Sequence, residues 1–306
     1  MSKLVLVTGA GRRVGAGIAR RLARDGWIVG VHFNGSRDDA ETVARDIRGE
    51  GGEAEIFGAN LTDENAIDAM ARALATRGDW VGLVNSAASF TPDTIDDFSL
   101  DAAQAQVRLN LLAPVYLSRK LREQIGAQRG FATNISDQKV LNQNPDFLSY
   151  TLAKTGLAHS TSALAMALAP NIRVNCIAAG LMLVSGDQKN FEAVHNDNLT
   201  RKGTRVEDVA DAVAFLAKAE NITGALIPVD GGQHLVPSAR RYVRLASRRM
   251  LTATKPSPES TDGFFTVTST QSARCDSDKQ CPATLSASVS IKCAGSPRSP
   301  RMKRII

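Results

Sequence analysis

The sequence LVLVTGAGRRVGAGIARRLARDG, residues 4–26, decides the fold of this chain. It begins with a short apolar run that predicts a buried strand over residues 3–8, and its second half has the spacing of a helix over residues 14–25. A glycine-rich turn between a strand and a helix lets backbone N–H groups approach a pyrophosphate, and the N-terminus of the helix adds a favourable potential. The turn therefore predicts a dinucleotide site, whose candidate residues are Gly9, Arg13, Val14 and Gly15.

Strand and helix signals continue to alternate as far as Leu235. The further predicted strands are residues 27–33, 54–57, 80–85, 130–135, 172–177 and 225–229. The further predicted helices are residues 37–48, 64–75, 102–125, 149–168 and 206–217. Strands that alternate with helices pair in parallel, with right-handed crossovers. The predicted fold class is therefore α/β, with a doubly wound parallel sheet in one domain that spans residues 1–235.

Charge is distributed unevenly along the chain, whose formal net charge is +6. Residues 236–306 hold 13 Lys and Arg against 4 Asp and Glu, which leaves 24 basic and 27 acidic groups in residues 1–235. The domain is thus slightly acidic, and its charge does not indicate nucleic-acid binding. Residues 236–306 also hold 12 Ser, 7 Thr and 6 Pro, a composition that predicts a disordered tail with a basic helix at most over residues 238–251. A tail without a function is favoured over one that contacts a membrane surface or nucleic acid.

Cysteine usage and hydropathy bear on the compartment. Of the four cysteines, only Cys176 lies within residues 1–235, so no disulfide framework supports the domain, as suits a reducing cytoplasm. The spacing of the other three, without histidines, does not match a zinc site, and no metal is expected. The apolar run at the N-terminus is too short for a signal peptide, and no run approaches the ~20 apolar residues of a membrane span. The chain is therefore predicted to be soluble and cytoplasmic.

The end of the second predicted strand distinguishes the two nicotinamide nucleotides. An NAD site usually places Asp or Glu there to hold the ribose hydroxyls, but residues 32–37 (HFNGSR) contain no acid. Arg13, Ser36 and Arg37 are therefore predicted to hold a 2′-phosphate, and NADPH is favoured over NADH; the alternative for Arg37 is a solvated side chain. Further candidate residues are Asn60 at the adenine edge, Asn85 as a brace under the cofactor, and Leu61, Ala87 and Gly180. A plain turn residue is the alternative for both asparagines.

Residues 134–154, NISDQKVLNQNPDFLSYTLAK, carry the chemistry. Tyr150 and Lys154 are four residues apart on a predicted helix, so both side chains reach the same region. A free tyrosine has a pKa of about 10, and a nearby ammonium group and a positively charged nicotinamide are expected to lower it. Tyr150 can then exchange a proton near neutral pH as a general acid. A carboxylate, that of Asp137, lies thirteen residues before this tyrosine.

Four features now occur in order: the glycine-rich turn, NSAAS at residues 85–89, Asn110, and Tyr150-x-x-x-Lys154. In this combination, residues 3–235 closely resemble the short-chain dehydrogenase/reductase family. The resemblance implies a Rossmann-type domain, a nicotinamide cofactor and a homodimer or homotetramer. It also implies catalytic roles for Tyr150 and Lys154, and for Asn110, which is expected to kink its helix and to hold a water that relays protons to Lys154. A buried polar residue that is satisfied locally is the alternative for Asn110.

Within that family, several details resemble the pteridine reductases. The glycine-rich turn with its arginine matches theirs, NSAASF matches their fourth-strand loop and ends at Phe90, and Asp137 stands where ordinary carbonyl reductases of the family have Ser. The segment VDGGQHL, residues 229–235, is similar to the bacterial dihydromonapterin/dihydrofolate reductase branch. Ala88 and Gly35 depart from the pteridine reductase pattern, which affects one substrate contact and one phosphate contact. Asn60 also replaces the usual Asp, and Ala178-Ala179-Gly180 replaces the more usual x-Pro-Gly after the sixth strand.

The carboxyl group of Asp137 indicates which kind of double bond accepts the hydride. An ionised carboxylate repels the developing oxyanion of a ketone, whereas a ring C=N bond needs a proton on nitrogen as hydride reaches carbon. The sequence therefore favours an NADPH-dependent reductase of a dihydropterin or dihydrofolate-type C=N bond, with Asp137 supplying the proton directly or through Tyr150 or water. Phe90 is expected to stack on the flat acceptor and Arg13 to face its electron-rich edge. The alternatives are a surface cap residue for Asp137 and a core residue for Phe90. Residues 182–200 are a candidate lid over the substrate.

Three other functions remain open at this point. A short-chain carbonyl reductase, acting on a ketone or a 3-oxoacyl group, would carry Asp137 as a neutral variant. A nucleotide-sensing scaffold on the same fold would have no need of a proton donor, so the set of Asn110, Tyr150 and Lys154 argues against it. A nucleic-acid binder would rest on the basic residues 236–306 alone.

Overall fold

The computed structural model of the protein describes residues 3–183 and 191–236. In chain order, the strands of this part of the chain are β1 (Leu4–Val7), β2 (Ile28–Phe33), β3 (Glu53–Gly58), β4 (Trp80–Asn85), β5 (Gly130–Asp137), β6 (Ile172–Ala179) and β7 (Leu226–Val229). The α-helices are α1 (Arg13–Arg24), α2 (Arg37–Gly49), α3 (Glu64–Ala75), α4 (Leu100–Val107), α5 (Ala113–Gln124), α6 (Leu148–Leu168), α7 (Phe191–His195) and α8 (Val206–Lys218).

The strands form one sheet in the order β3-β2-β1-β4-β5-β6-β7, and every neighbouring pair is parallel. The chain runs outward from β1 to β3 on one side of the sheet and from β4 to β7 on the other, so its direction reverses between β1 and β4. Open α/β sheets bind ligands at such a switch point, beyond the carboxyl ends of the strands. The predicted α/β fold with a Rossmann-type, doubly wound parallel sheet is confirmed.

Residues of β1 alternate between the two faces of the sheet. Val5 and Val7 pack with buried side chains of α1, α2 and α8, whereas Leu4 and Leu6 pack with those of α3, α5 and α6. A strand that helices cover on both faces has no polar side, and its sequence reads as a continuous apolar run. This is why the first apolar run of the chain marks the centre of the fold.

One long helix over residues 102–125 is a wrong prediction, because α4 and α5 are separated by a π-helical turn at Arg108–Leu112. Asn110 lies in this turn and is fully buried. Pro114, near the start of α5, has no N–H group with which to close an α-helical hydrogen bond to the Asn110 carbonyl four residues earlier. The proline therefore favours the wider turn. The irregularity that was predicted at Asn110 is present.

The strands β5 and β6 each extend two residues beyond their predicted ends. Their last residues, Asp137 and Ala179, are paired in register. A regular sheet thus continues to the residue that carries the carboxyl group. Asp137 is therefore held by the ladder of the sheet rather than by a loop, at the edge where the strands end.

Several predictions concern residues outside the described ranges. Residues 184–190 of the predicted lid lie outside them, and so do residues 237–306 of the predicted tail with its basic helix. The lid, the tail and the domain boundary after residue 235 therefore stay predictions. Within residues 3–183 and 191–236, no helix is long and apolar enough to span a membrane, and no group of three or more His, Cys, Asp and Glu side chains could hold a metal ion.

Candidate active site

A cleft of about 630 Å³ opens at the carboxyl ends of β1, β4, β5 and β6. The predicted residues that line its nucleotide side are Gly9, Arg13, Val14, Gly15, Asn60 and Leu61. Those that line the rest of it are Ala87, Phe90, Asp137, Tyr150, Lys154 and Gly180. The predicted residues that do not line it are Ser36, Arg37, Asn85 and Asn110. One cleft thus brings together most of the residues that were predicted to hold cofactor and substrate.

The glycine-rich turn is packed so closely that two of its positions accept no side chain. Gly9 has a φ angle of 65°, and a Cβ atom there would lie 2.9 Å from the Cα atom of Ala87. A Cβ atom on Gly15 would lie 2.3 Å from the carbonyl oxygen of Gly9. Beside the N-terminus of α1, the backbone of the turn is therefore open to the cleft without a side chain in between. This arrangement fits the pyrophosphate of a dinucleotide.

His32, to which the sequence alone assigns no role, holds this turn. Its Nδ1 atom accepts a hydrogen bond from the N–H group of Gly9 at 3.0 Å, and its Nε2 atom lies 3.0 Å from the carbonyl oxygen of Ala59. These partners specify the tautomer with its proton on Nε2. Burial lowers the pKa of His32 to about 4, so the ring is neutral near pH 7. In the sequence, the signal for this role is a polar residue within the apolar run IVGVHF of β2.

Thr8 connects the two sides of the switch point. Its hydroxyl oxygen accepts hydrogen bonds from the N–H groups of Ser86 (2.9 Å) and Ala87 (3.0 Å), and its hydroxyl group donates to the carbonyl of Val84 at 3.3 Å. The chain segments that follow β1 and β4 diverge from one another, and this single side chain joins them. Its position at the start of the glycine-rich turn was the only signal in the sequence.

The arginines on the nucleotide side of the cleft differ in part from those that were predicted to hold the 2′-phosphate. Arg13 begins α1 with a φ angle of 53° and lines the cleft. Arg12 lines it too and forms an ion pair with Asp39. Arg37 instead forms an ion pair with Glu41 at 3.7 Å and is largely exposed. The 2′-phosphate contact of Arg37 stays a prediction, and Arg12 is an additional candidate.

Both predicted asparagines form hydrogen bonds within the protein. The Oδ1 atom of Asn60 accepts from the N–H and hydroxyl groups of Thr62 at 3.0 and 2.9 Å. The Nδ2 atom of Asn85 donates to Oδ1 of Asn134 at 2.9 Å, and Asn134 donates to Thr161 of α6 at 3.1 Å. Asn85 thereby ties β4 to β5 and α6, and its role as a brace under the cofactor stays a prediction. The contact of Asn60 with an adenine stays a prediction.

Tyr150, Asp137 and Lys154 meet in the cleft. The hydroxyl group of Tyr150 donates to Oδ2 of Asp137 at 3.2 Å, and Oδ1 of the same carboxylate accepts from the N–H group of Lys139 at 2.8 Å. The Nζ atom of Lys154 donates to the carbonyl of Ile135 at 2.7 Å and lies 5.9 Å from the centre of the Tyr150 ring. The strand β5 and the helix α6 thus bring a carboxylate, a phenol and an ammonium group to one place.

Desolvation dominates the pKa values of these three groups. Asp137 is partly exposed to the cleft but surrounded by protein atoms, and this desolvation raises the pKa of its carboxyl group against the opposing effect of the Lys139 N–H. Burial, and then the neighbouring carboxylate, raise the pKa of Tyr150 well above its usual value. Burial lowers the pKa of Lys154 to about 8.

The predicted lowering of the Tyr150 pKa is therefore wrong for the protein's own side chains. The hydroxyl group has Asp137 as its hydrogen-bond partner, and a carboxylate disfavours a second negative charge beside it. The ammonium group of Lys154 points to a backbone carbonyl instead. Tyr150 is accordingly a phenol rather than a phenolate near neutral pH.

Aromatic side chains form one wall of the cleft. The ring of Phe90 stacks on that of Phe147, with 3.9 Å between centres, and meets the ring of Tyr150 edge-on at 4.8 Å. Phe90 is 40% exposed and lines the cleft. Phe90 thus lies beside the ring of Tyr150. The stacking of a flat acceptor on Phe90 stays a prediction.

Asn110 lies behind this wall rather than in the cleft. Its side-chain amide is hydrogen-bonded to Ser89 and to Gln106. The alternative of a buried polar residue that is satisfied locally therefore describes its side chain. A water relay from Asn110 to Lys154 stays a prediction.

A doubly wound sheet with a dinucleotide cradle and proton-donating groups in the same cleft defines an oxidoreductase that uses a nicotinamide nucleotide. A family model described as enoyl-(acyl carrier protein) reductase matches residues 9–234. The chain belongs to the short-chain dehydrogenase/reductase family.

Its relatives act on different acceptors. The 3-oxoacyl-[acyl-carrier-protein] reductase FabG of Staphylococcus aureus is 31% identical over 77% of this chain and 99% of the relative. The FolM alternative dihydrofolate reductase 1 from Brucella canis, solved with NADP, is 35% identical with a TM-score of 0.72, over 76% of this chain and 94% of that one. The angucycline C-6 ketoreductase LanV, with bound NADP, is 28% identical with a TM-score of 0.71, over 76% of this chain and 96% of that one. Both solved neighbours hold NADP, in agreement with the prediction of NADPH.

Proposed function

We propose that the protein is an NADPH-dependent reductase that transfers hydride to a C=N bond of a dihydropterin or dihydrofolate-type substrate. The observation that carries the proposal is the 3.2 Å hydrogen bond between Tyr150 and Asp137 at the end of β5. Because desolvation raises the pKa of Asp137, this carboxyl group keeps its proton to a higher pH than an ordinary aspartate does. It can therefore act as an acid toward a ring nitrogen.

Reduction of a C=N bond requires a hydride on carbon and a proton on nitrogen. NADPH supplies the hydride when it is bound. The Tyr150 hydroxyl and the Asp137 carboxyl share a hydrogen bond, so a proton that leaves one group can be replaced from the other. The ammonium group of Lys154 near the Tyr150 ring favours the negative charge that remains on the pair. Each of the three side chains thus has a part in moving one proton.

The shape of the acceptor is set by Phe90. Its ring is partly exposed in the cleft and lies against Tyr150, so a flat heteroaromatic substrate that stacks on it comes next to the proton donor. Such stacking contributes on the order of 1 kcal/mol beyond the buried area. The likeness to the Brucella FolM protein, named a dihydrofolate reductase, supports the same substrate class for this chain. Arg13, at the cleft, is the proposed contact for the electron-rich edge of the pterin.

The residues around the glycine cradle support NADPH rather than NADH. Arg12 and Arg13 line the cleft on this side, and the segment after β2 contains no acid before Asp38. A 2′-phosphate is favoured by arginine, whereas the ribose hydroxyls of NADH are held by a carboxylate. Binding constants for NADPH and NADH, measured by nucleotide fluorescence, test the preference, and equal constants would contradict it.

The family resemblance further supports a homodimer or homotetramer, and the cysteine usage supports a cytoplasmic location. Cys176, the cysteine of residues 1–235, is free and buried, as a reducing compartment allows. Light scattering on the purified protein measures the oligomeric state. Fractionation of cells that express the chain measures the location.

A carbonyl reductase is the second candidate, because FabG and the ketoreductase LanV are also similar to this chain. Turnover separates the two. NADPH oxidation is measured with dihydrofolate, dihydromonapterin and dihydrobiopterin, and in parallel with a 3-oxoacyl thioester and a panel of ketones. Pterin turnover at higher kcat/KM is the expected result. Oxidation of NADPH with ketones and with none of the pterins would overturn the proposal.

A further inference from the structure

The loop that follows β4 carries Phe90, and two buried amide side chains anchor it. Gln106 lies near the end of α4, and Asn110 lies four residues later in the π-helical turn. Gln106 is 4% exposed and Asn110 is 0% exposed. Neither residue lines the cleft. An effect of Gln106 on a ligand therefore passes through the groups to which it is hydrogen-bonded.

Asn110 clamps the backbone of Ser89. Its Nδ2 atom donates to the carbonyl of Ser89 at 3.1 Å, and its Oδ1 atom accepts from the N–H group of Ser89 at 3.3 Å. The second Nδ2 hydrogen is donated to the Oε1 atom of Gln106 at 2.7 Å. A flipped Asn110 amide would place its NH2 group against the N–H group of Ser89, and its oxygen against Oε1 of Gln106, so all three bonds favour the same orientation.

Gln106 also holds the side chains on both sides of Phe90. Its Oε1 atom accepts from the hydroxyl group of Ser89 at 3.0 Å, and its Nε2 atom donates to the hydroxyl oxygen of Thr91 at 3.1 Å. Ser89 and Thr91 are the sequence neighbours of Phe90, so the backbone that carries this ring is fixed from both directions. The ring then lies against Tyr150 in the cleft.

We propose that Gln106 is a positioning residue for the acceptor: it orients Asn110, holds Ser89 and Thr91, and so fixes the ring of Phe90 where a flat substrate stacks. Loss of the Gln106 amide would leave three polar groups of this network without their partner. The loop would then sample other positions. The statement about the substrate rests on the proposed function, whereas the statement about the loop does not.

Hydrogen–deuterium exchange tests the loop without any substrate. The variant Gln106→Leu removes the three hydrogen bonds at similar side-chain volume. Gln104→Leu is the matched control, because it makes the same change at an exposed position two residues earlier in α4. Exchange of the backbone amides of residues 86–91 is expected to rise about ten-fold or more in Gln106→Leu and to stay unchanged in Gln104→Leu. Equal exchange in the two variants would overturn the proposal.

Kinetics test the consequence for the acceptor. Gln106→Leu is expected to raise KM for the pterin about five-fold, the loss of one stacking contact, with the Kd of NADPH within about two-fold of the parent value. In a Phe90→Ala background the same substitution is expected to have no further effect on KM, since Gln106 acts through that ring. If Gln106→Leu raises KM as much in the Phe90→Ala background as in the parent, the role of Gln106 is merely structural. A loss of NADPH affinity that matches the rise in KM would lead to the same conclusion.

A second variant and the exchange measurement keep the proposal for Gln106 testable if Gln106→Leu does not fold or if the proposed function fails. Thr91→Val removes only the bond to Nε2 and is expected to change exchange and KM in the same direction by less, so it replaces Gln106→Leu if that variant does not fold. If the parent protein turns over no pterin, the proposed function fails. The exchange measurement then still decides whether Gln106 holds the loop.

Discussion

At the scale of the residue, the proposed function assigns the protonation of the acceptor nitrogen to the carboxyl group of Asp137. Asp137→Ser removes the carboxyl proton donor but keeps a hydroxyl group, which is what a carbonyl acceptor needs. A general acid contributes about 10²–10⁴-fold, so kcat/KM for the pterin is expected to fall by about 100-fold or more. Turnover of a ketone is not expected to fall with it. Steady-state kinetics with both acceptors measure the change, and the Kd of NADPH should not move.

The control for this experiment is Asp96→Ser, the same substitution at an exposed aspartate outside the lining of the cleft. It should leave both turnovers unchanged. Unchanged pterin turnover in Asp137→Ser would remove the carboxyl group from the mechanism.

The same carboxyl group is expected to cost stability. Because its pKa is raised in the folded protein, the folded state loses stability as pH rises from about 3.9, the usual aspartate value, through the folded pKa. Asp137→Asn carries no charge and can still accept the Lys139 N–H. It is therefore expected to be more stable than the parent at pH 8, with a higher Tm.

The stability difference between Asp137→Asn and the parent is expected to depend on pH. Below the usual aspartate pKa both folded and unfolded parent chains are protonated, so the advantage of Asp137→Asn should disappear near pH 3–4. Thermal unfolding followed by circular dichroism at the two pH values measures it. A stability difference that is the same at both would mean that the charge is not its source. The variant is also expected to lose pterin turnover.

His32 offers a test that separates its two nitrogens. Asn can reproduce the acceptor at Nδ1, which bonds Gly9, and Gln can reproduce the donor at Nε2, which bonds Ala59. If the bond to the glycine-rich turn matters for the cofactor, His32→Asn should keep an NADPH Kd near that of the parent. His32→Gln should weaken it about five- to ten-fold, the value of one neutral hydrogen bond. Equal constants for the two variants in a fluorescence titration would contradict this.

At the scale of the element, the turn between β1 and α1 depends on the lack of a side chain at Gly15. Gly15→Ala places a methyl group 2.3 Å from the Gly9 carbonyl oxygen, so the turn must shift. Overpacking of this kind costs about 1–3 kcal/mol, and the NADPH Kd is expected to rise about ten-fold or more. Differential scanning calorimetry and a nucleotide titration measure the two effects.

Gly49→Ala is the matched control, because a Cβ atom on Gly49, the last residue of α2, meets nothing within 4 Å. It should leave NADPH affinity unchanged and stability unchanged or slightly higher, since Ala has the better helix propensity. A similar loss of affinity in both variants would mean that crowding at Gly15 is not the cause.

The same element also shows how far sequence reasoning reaches. The glycine-rich turn, the flanking strand and helix, and the Tyr150–Lys154 pair depend on local spacing, and the sequence alone predicts them. The hydrogen bonds of His32, and those of Gln106 to Ser89 and Thr91, depend on partners fifteen or more residues away in the chain. A pattern of apolar spacing contains no information about such partners. The predicted direction of the Tyr150 pKa is wrong for the protein's own side chains for the same reason, because burial is set by the whole fold.

At the scale of the whole molecule, the described domain has a defined C-terminal anchor. The Nδ2 atom of Asn142 donates to the carbonyl of Val236 at 2.7 Å and lies 3.4 Å from that of Gln233. A chain that ends after Ser238 keeps both carbonyls. Removal of residues 239–306 is therefore expected to leave the NADPH Kd within about two-fold and the Tm unchanged.

The same truncation tests the basic segment. Residues 236–306 hold 13 basic and 4 acidic groups, so any binding of duplex DNA by the full chain should weaken steeply with salt and vanish on truncation. DNA binding that survives in the truncated chain would contradict the assignment of residues 1–235 to small-molecule chemistry. Loss of NADPH affinity on truncation would show that the deleted segment supports the domain.

The reversal of the sheet between β1 and β4 has an evolutionary consequence. The cradle for the dinucleotide belongs mainly to the β1–β3 half, whereas Phe90, Asp137 and Tyr150 belong to the β4–β6 half. On the proposed function, substitutions in the second half can therefore alter the acceptor without touching the residues that hold the coenzyme. The FolM dihydrofolate reductase and the ketoreductase LanV, both similar to this chain and both solved with NADP, combine one coenzyme with two different acceptors.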